Sequence, residues 1–336
     1  MHHDGLEFHN VGELRGTEGG DGRLLQRVPE EVRAELNEGA ARRMRHPAGV
    51  EIRFVPDGPV ELTLSTVPGD APEGRVEVFW GPIQGEGHVV GDRETLELSP
   101  PEELADLRPG ISEDLAFDPR VCRVRLPGEH RGGFVRYHGV SGDVRPPRPE
   151  ELPDRRYLAY GTSITEGEAP SAEHLTYASQ TARRLGADLV NLGSCGTAYC
   201  DRAMADHIAS ESFDVATLSL SVNMVGTFSP AEFRERAARM IDTVAGAHPD
   251  DPVAAITLFP HTRDVLAGNE ERELAEEFRE ILREIVAGTP HDNVVLLEGP
   301  ELLPDIGGLT TDLVHPGDDA MIRIGENLAG ELEALL

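Results

Sequence analysis

Two textures of hydrophobic spacing divide this chain. Between Gly49 and about Val140, apolar residues recur at alternate positions in the short runs VEIRFV, VELTLSTV, GRVEVFWG, VCRVRL and GGFVRYHGV, separated by clusters of Pro, Gly and Asp. A period of two sends successive side chains to opposite faces of a strand, and turn signals at this frequency predict an antiparallel sandwich. The single tryptophan, Trp80, falls in one of these runs and is expected in sheet packing; an exposed position would make it a sugar platform instead. The first 45 residues are mixed. Within them VPEEVRAELNEGAARRMRH has Glu, Ala and Arg in helical proportions, with Pro29 suited to a first turn, and predicts one short helix.

The stretch VRPPRPEELPDRR carries four prolines and no apolar periodicity, and its residues 146–156 read as a linker. Beyond it the pattern changes to apolar runs alternating with helical periodicity. Strands are expected at RRYLAYG, ADLVNLG, FDVATLSLSV, PVAAITLF and NVVLLE. Helices are expected at about Tyr177 to Leu185, Ala203 to Ser210, Ala231 to Ala247, Glu271 to Val286 and Asp319 to Leu335. Strands separated by helices imply a mostly parallel sheet covered on both faces, and five of them fit a flavodoxin-like, doubly wound α/β layout whose ligands sit at the strand C-terminal ends. The expected organisation is a mostly-β sandwich domain over residues 1–145, a Pro-rich linker over 146–156, and an α/β catalytic domain over 157–336.

Charge changes the picture of partners rather than of fold. The 336 residues include 61 acidic and 31 basic side chains, for a net charge of −30, and every one of those bases is arginine. Acid spread along both halves reads as a solvated acidic surface, which repels nucleic acid and anionic lipid and favours a salt-rich cytosol that screens its self-repulsion. The absence of lysine excludes a Walker A loop, a pyridoxal phosphate Schiff base and an ordinary kinase site. Three cysteines, Cys122, Cys195 and Cys200, have no metal spacing and suggest reduced thiols. The N-terminal MHHDGLEFHN has no signal-peptide pattern, and no apolar stretch of about 20 residues follows, so the expectation is a cytoplasmic protein with no membrane partner. Oligomeric state is left open, a homo-oligomer included.

Candidate chemistry gathers at the predicted strand ends. YLAYGTSITEG breaks at Gly161 and places Ser163 just past the first strand; the second delivers the turn Gly193 to Gly196, the third Asn223, and the loop TDLVHPGDD before the last helix holds Asp312 and His315. A serine hydroxyl needs a base to take its proton, which a neutral imidazole can do, and a carboxylate on its other ring nitrogen would fix the tautomer. Backbone N–H groups of Ser163 and Gly196, with the Asn223 amide, are placed to receive the negative charge that attack on an ester creates. Singly, each feature has a plainer reading. Ser163 alone is a helix N-cap, Asp312 and His315 a capped surface turn, Asn223 a group satisfying buried backbone, and Gly193 a turn glycine. Cys195 is a rival nucleophile beside Gly196, while Cys122 and Cys200 read as buried small hydrophobes. His261 and Arg263, in FPHTRD, lie on the same rim as substrate-contact candidates, with a salt bridge from Arg263 to Asp264 or a neighbour as the alternative. His174 and Tyr177 are possible approaches from the following helix, though a plain helix face is the default.

GTSITEG, NLGSCG, SVNM and DLVHPG, in this order on a strand-helix frame, resemble the four blocks of the SGNH hydrolase (GDSL esterase) family over roughly residues 155–336. The similarity is to the branch whose first block reads like GSSITQG, often preceded by a β-sandwich and including carbohydrate acetyl esterases. The resemblance implies Ser163 as nucleophile, Gly196 and Asn223 in the oxyanion hole, and Asp312 and His315 as orienter and base. It implies no cofactor or metal, and a small acyl ester, with an acetylated sugar first, as substrate. The chain departs from the pattern at Thr162, Ser221 and Met224, all supporting positions. Two other classes are compatible with the same residues: a glycan-binding protein with a vestigial triad, and a metal-dependent phosphoesterase using His315 with Asp312, Asp318 and Asp319.

Overall fold

A computed structural model of the chain describes residues 1–16, 21–67, 74–108, 110–112, 115–128, 133–268 and 271–336. Two compact units emerge: one of Met1–Glu30, Met44–Arg155 and Gly186–Asp188, the other of Glu31–Arg43, Arg156–Leu185 and Leu189–Leu336.

The first unit is built from two antiparallel sheets. One runs His2–His3, Leu6–His9, Glu51–Pro56, Cys122–Arg125, Gly74–Trp80, Ile83–Val90, with Val144–Arg145 added beside Glu51–Pro56. The other runs Glu13–Gly16, Arg23–Gln26, Phe134–Ser141, Val60–Val67, Glu94–Leu98. The alternating runs all form strands, and the residues they turn inward, among them Ile52, Phe54, Leu62, Leu64, Val76, Val78, Val124 and Tyr137, make one buried cluster. Gly132, at the start of the predicted GGFVRYHGV run, lies outside the described residues. Trp80 is 5% exposed and belongs to that cluster, so its role is packing and not a surface platform.

The Pro-rich stretch is folded. Pro149–Glu151 forms one 3-10 turn, and the Glu151 carboxylate, 2% exposed, receives two hydrogen bonds from the Arg145 guanidinium at 2.6 and 2.7 Å. Such a bidentate charged pair, with its carboxylate buried and its guanidinium half-buried, holds the segment where a solvated tether would wander.

A third sheet has five strands: β1 (Arg155–Tyr160), β2 (Ala187–Asn191), β3 (Val215–Ser219), β4 (Val253–Ile256) and β5 (Val294–Leu297). Their spatial order is β2-β1-β3-β4-β5, with parallel pairing, which is the flavodoxin-like doubly wound arrangement. The helices are α1 (Ser163–Glu166), α2 (Tyr177–Leu185), α3 (Arg202–Ser210), α4 (Pro230–Ala247), α5 (Thr262–Val265), α6 (Arg272–Gly288), α7 (Gly299–Leu302) and α8 (Asp318–Glu333). Local signals set these boundaries well. Before α4, for example, the Ser229 hydroxyl accepts from the Glu232 N–H while Glu232 reaches back to the Ser229 N–H, and Pro230 fills the first helical position.

The segment Glu31–Arg43 groups with this second unit, as two short turns of helix where one was expected. Asn37 is the reason. Its backbone N–H and side-chain amide donate to the Asp201 carboxylate at 3.1 and 2.7 Å, and the amide also reaches the Thr197 carbonyl at 3.0 Å. No helix among the described residues is long and apolar enough to cross a membrane.

Candidate active site

The strand order brings the C-terminal ends of β1, β2 and β3 side by side, and the turns leaving them are shaped by close contact. After β1 the chain bends at Gly161, where a Cβ would lie 2.2 Å from Thr165 Oγ1; Ser163 then opens α1, which Gly167 ends at φ 93°. After β2, Gly193 sits against α1 so closely that a Cβ would fall 2.2 Å from the Glu166 nitrogen, which gives the structural reason for that glycine. Asn191 ties the two turns together: its amide donates to the Thr165 carbonyl at 2.9 Å, and its oxygen accepts from the Gly193 N–H at 2.8 Å. Gly196 has open space around it but a φ of 69°, the left-handed region that glycine enters without strain.

After β3, Ser221 occupies the left-handed region at φ 104°, where a glycine would be at ease, and its carbonyl gathers the N–H groups of Met224 and Val225 at 2.6 and 3.0 Å. The departure from the family pattern noted at Ser221 therefore places a side chain on a bend that favours glycine. The bend presents Asn223, whose side-chain oxygen accepts from the Ala198 N–H at 3.3 Å, leaving the amide end of the group to face the cleft it lines.

The loop before α8 is organised around Asp312. One carboxylate oxygen accepts from the Thr310 hydroxyl (2.8 Å) and the backbone N–H groups of Val314 (2.8 Å) and His315 (3.0 Å). The other lies 2.7 Å from His315 Nδ1. His315 Nε2 is 2.8 Å from Ser163 Oγ. Burial would raise the Asp312 carboxyl, but these four donors hold it well below the usual carboxylate range. The arrangement can hold a proton on Nδ1 and take another at Nε2 from a serine hydroxyl.

Ser163, Gly196, Asn223 and His315 line one cleft of about 380 Å³, together with His261, Arg263, Glu168, Cys195, Val222 and Val314. Asp312 supports it from behind His315. His261 is 1% exposed; its Nδ1 lies 2.9 Å from an Asp264 oxygen and 3.2 Å from the Phe259 carbonyl, and its Nε2 has no protein partner among the described residues. Arg263 pairs with Glu271 at 2.7 Å and not with Asp264, because Asp264 is already taken by His261 and by both ends of the Arg279 fork, each at 2.8 Å. His174 and Tyr177 do not line the cleft: Tyr177 is fully buried, with its hydroxyl 2.7 Å from Thr165 Oγ1, bracing α1 from behind.

Cys195 does line it, but its thiol donates to Glu168 at 2.8 Å, and burial, the Glu166 charge and that hydrogen bond push the thiol up, so the thiolate is disfavoured. Cys122 and Cys200 are buried. Among the described residues, no group of three or more His, Cys, Asp and Glu side chains could hold a metal ion.

Three neighbours of the cleft residues escaped sequence reasoning: Asn191; Glu166, whose carboxylate accepts the Cys195 N–H at 2.6 Å; and Glu168, 3.3 Å from His315 Nε2. Only their position within or beside the GTSITEG and NLGSCG blocks could have signalled them.

Residues 154–332 match the model of a family described as GDSL-like Lipase/Acylhydrolase, in agreement with the resemblance carried by the four sequence blocks. Among solved structures the chain is similar to the salicylyl-acyltransferase SsfX3 from a tetracycline biosynthetic pathway, at 15% identity over 98% of this chain and 95% of that one, with a TM-score of 0.77. It is also similar to a putative GDSL-like lipase from Bacteroides ovatus (16% identity, 98% and 97% covered, TM-score 0.70). An acetyl xylan esterase, Est2A, from Butyrivibrio proteoclasticus aligns at 15% identity over 99% and 96% of the two chains, with a TM-score of 0.56. At these identities the likeness is one of fold. No curated protein matches the chain.

Proposed function

This chain belongs to the GDSL-like lipase/acylhydrolase family and is a carboxylic ester hydrolase, and from that premise we propose that it cleaves a small acyl ester, acetyl first, through an acyl-enzyme on Ser163. One observation carries the reading. Asp312, His315 and Ser163 form an unbroken hydrogen-bonded series at 2.7 and 2.8 Å that ends at a hydroxyl on the cleft wall.

In the proposed reaction His315 Nε2 takes the Ser163 proton as Oγ attacks the ester carbonyl, and Asp312 stabilises the imidazolium that results. The carbonyl oxygen gains the negative charge and is received by the N–H groups of Ser163 and Gly196 and by the Asn223 amide. Collapse expels the alcohol, which takes the proton back from Nε2. Water, deprotonated by the same nitrogen, then attacks the acyl-serine, and as the Oγ–acyl bond breaks Nε2 returns the proton to Oγ, releasing the carboxylic acid and free Ser163. Because Asn223 acts on charge that appears only at the transition state, Asn223→Ala should lower kcat by about 10²- to 10³-fold with little change in KM. Steady-state kinetics check this; a rise in KM at unchanged kcat would remove Asn223 from the oxyanion hole.

An acetylated carbohydrate is the proposed substrate class. The likeness to an acetyl xylan esterase supports it. So does a cleft in which Val222 and Val314 offer apolar contact while His261 and Arg263 offer polar contact. Nδ1 faces the Asp264 carboxylate and the Phe259 carbonyl, both acceptors, and the unpartnered Nε2 is the proposed acceptor for a sugar hydroxyl. A cytoplasmic, salt-rich setting and a separately folding β-rich N-terminal domain belong to the same proposal.

The test is hydrolysis of p-nitrophenyl esters of increasing acyl length, then of acetylated xylo-oligosaccharides, in molar salt. Acetate release that falls with acyl length and extends to the sugars supports the reading. A folded protein that binds the oligosaccharides without cleaving any ester would favour the glycan-binding alternative.

A further inference from the structure

Glu168 stands where the proposed reaction has no use for a second carboxylate. It follows α1 by two residues, anchored by its backbone N–H, which donates to the Ser163 carbonyl at 3.0 Å. Its Oε2 lies 3.3 Å from His315 Nε2, on the ring edge that faces Ser163 Oγ. The same oxygen accepts from the Cys195 thiol at 2.8 Å, so the carboxylate is held from two sides and lines the cleft beside the nucleophile.

His315 thus sits between two carboxylates, Asp312 on Nδ1 and Glu168 on Nε2. The turn after β2 brings the Cys195 thiol, kept neutral as described, and the Glu166 carboxylate of α1 is held by the Cys195 N–H at 2.6 Å. Arg263, the cation of the cleft wall, is paired with Glu271, and at the start of α8 the Asp318 carboxylate is occupied by Ser171 at 2.6 and 2.7 Å. A neutral imidazole has one N–H and can serve one carboxylate; the imidazolium has two and serves both. The geometry therefore favours the charged ring, and a charged ring cannot take a proton from Ser163.

Resting on the esterase reading above, we propose that Glu168 is a positioning residue that keeps His315 as the imidazolium through neutral pH, so that hydrolysis switches on only in alkaline solution. The balance of forces on the ring agrees. Burial pulls its pKa down, but the hydrogen bonds and charges of Glu168 and Asp312 outweigh burial and push it up to about 9. The sign follows directly. The base is the neutral ring, so activity is suppressed below that value and rises as pH passes through it.

The experiment is a kcat/KM profile from pH 5 to 10.5 on p-nitrophenyl acetate for wild type, Glu168→Gln and Glu168→Asp, with the His315 Cε1–H signal titrated by NMR in the same proteins. Wild type should climb about tenfold per pH unit on its acid limb. Glu168→Gln should move both the kinetic inflection and the NMR titration to lower pH by at least about one unit, making it severalfold more active than wild type at pH 7. Glu168→Asp, whose charge is withdrawn by one methylene, should fall between. A Glu168→Gln enzyme slowed equally at every pH, with its inflection unmoved, would overturn the proposal and leave Glu168 a structural role. Should wild type show no hydrolysis at any pH, the esterase reading fails, while the NMR titration still decides whether Glu168 holds the proton on His315.

Discussion

Ser163→Ala is expected to lower kcat/KM on p-nitrophenyl acetate by about 10⁴- to 10⁶-fold, the range found when a serine nucleophile is removed from a proton-relay site. The size follows from what the substitution takes away. In the proposed reaction Oγ forms the acyl-enzyme, and it is the partner of His315 Nε2 at 2.8 Å, so on that reading its loss removes the covalent path and leaves the base with no proton to accept. Cys195 is a poor substitute for it, because burial and the Glu166 and Glu168 carboxylates disfavour its thiolate. The residual rate should come from the oxyanion donors and from binding alone. For that reason adding His315→Ala to Ser163→Ala should cost almost nothing further, as expected of groups that act as one unit. Circular dichroism in molar salt would show both variants folded, since Ser163 leaves behind only a small void. A Ser163→Ala enzyme that keeps a tenth of the wild-type rate would place the nucleophile elsewhere, with the Cys195→Ala variant the next to examine.

How far the sequence reaches is clearest at the strand ends. The switch from alternating runs to strand-helix alternation locates β1 to β5, and the turns after them are punctuated by Gly161, Gly193 and Gly196, whose lack of a side chain is required by close approach or by a left-handed backbone. Local chemistry dictates these turns, so a local reading finds them. Edge strands are harder. Ile83–Val90 is largely exposed and contains Gly85 and Gly87, so it shows no apolar alternation; only its pairing with Gly74–Trp80 makes it a strand. The attachment of Asn37 to Asp201 spans 164 positions and leaves no local trace, which is why the helical segment there reads as part of the N-terminal half. Glu168 is hidden by composition. Among 61 acidic residues one more glutamate has no contrast, and its meaning comes only from lying 3.3 Å from an imidazole. Asp264 is a subtler case, since its neighbour Arg263 is the obvious partner in sequence while the helical turn α5 sends that guanidinium to Glu271 and leaves Asp264 to His261 and Arg279.

Asp312→Asn should cost about 10⁴-fold in kcat while preserving the loop, and the separation of those two effects is what makes it informative. The oxygen that organises the loop, accepting from Thr310, Val314 and the His315 N–H, has an exact counterpart in the amide oxygen of asparagine. The other oxygen, 2.7 Å from His315 Nδ1, becomes an NH₂ group and now donates where it used to accept. Nδ1 must then be the acceptor, and the ring proton moves to Nε2. On that side Glu168, at 3.3 Å, is waiting to receive it. On the proposed mechanism the two carboxylates act in opposite senses: Asp312 aims the basic nitrogen at Ser163, and Glu168 stabilises whatever proton Nε2 carries. With Asp312 neutralised, Glu168 should lock the inactive tautomer, so that raising the pH restores little activity to Asp312→Asn. Adding Glu168→Gln should then recover part of the loss, because it removes the group that prefers the proton on Nε2. Kinetics of the two single variants and the double variant across pH measure this coupling. If Asp312→Asn and Glu168→Gln prove independent, with rate effects that simply multiply at every pH, the two carboxylates do not share His315 and the opposition between them falls.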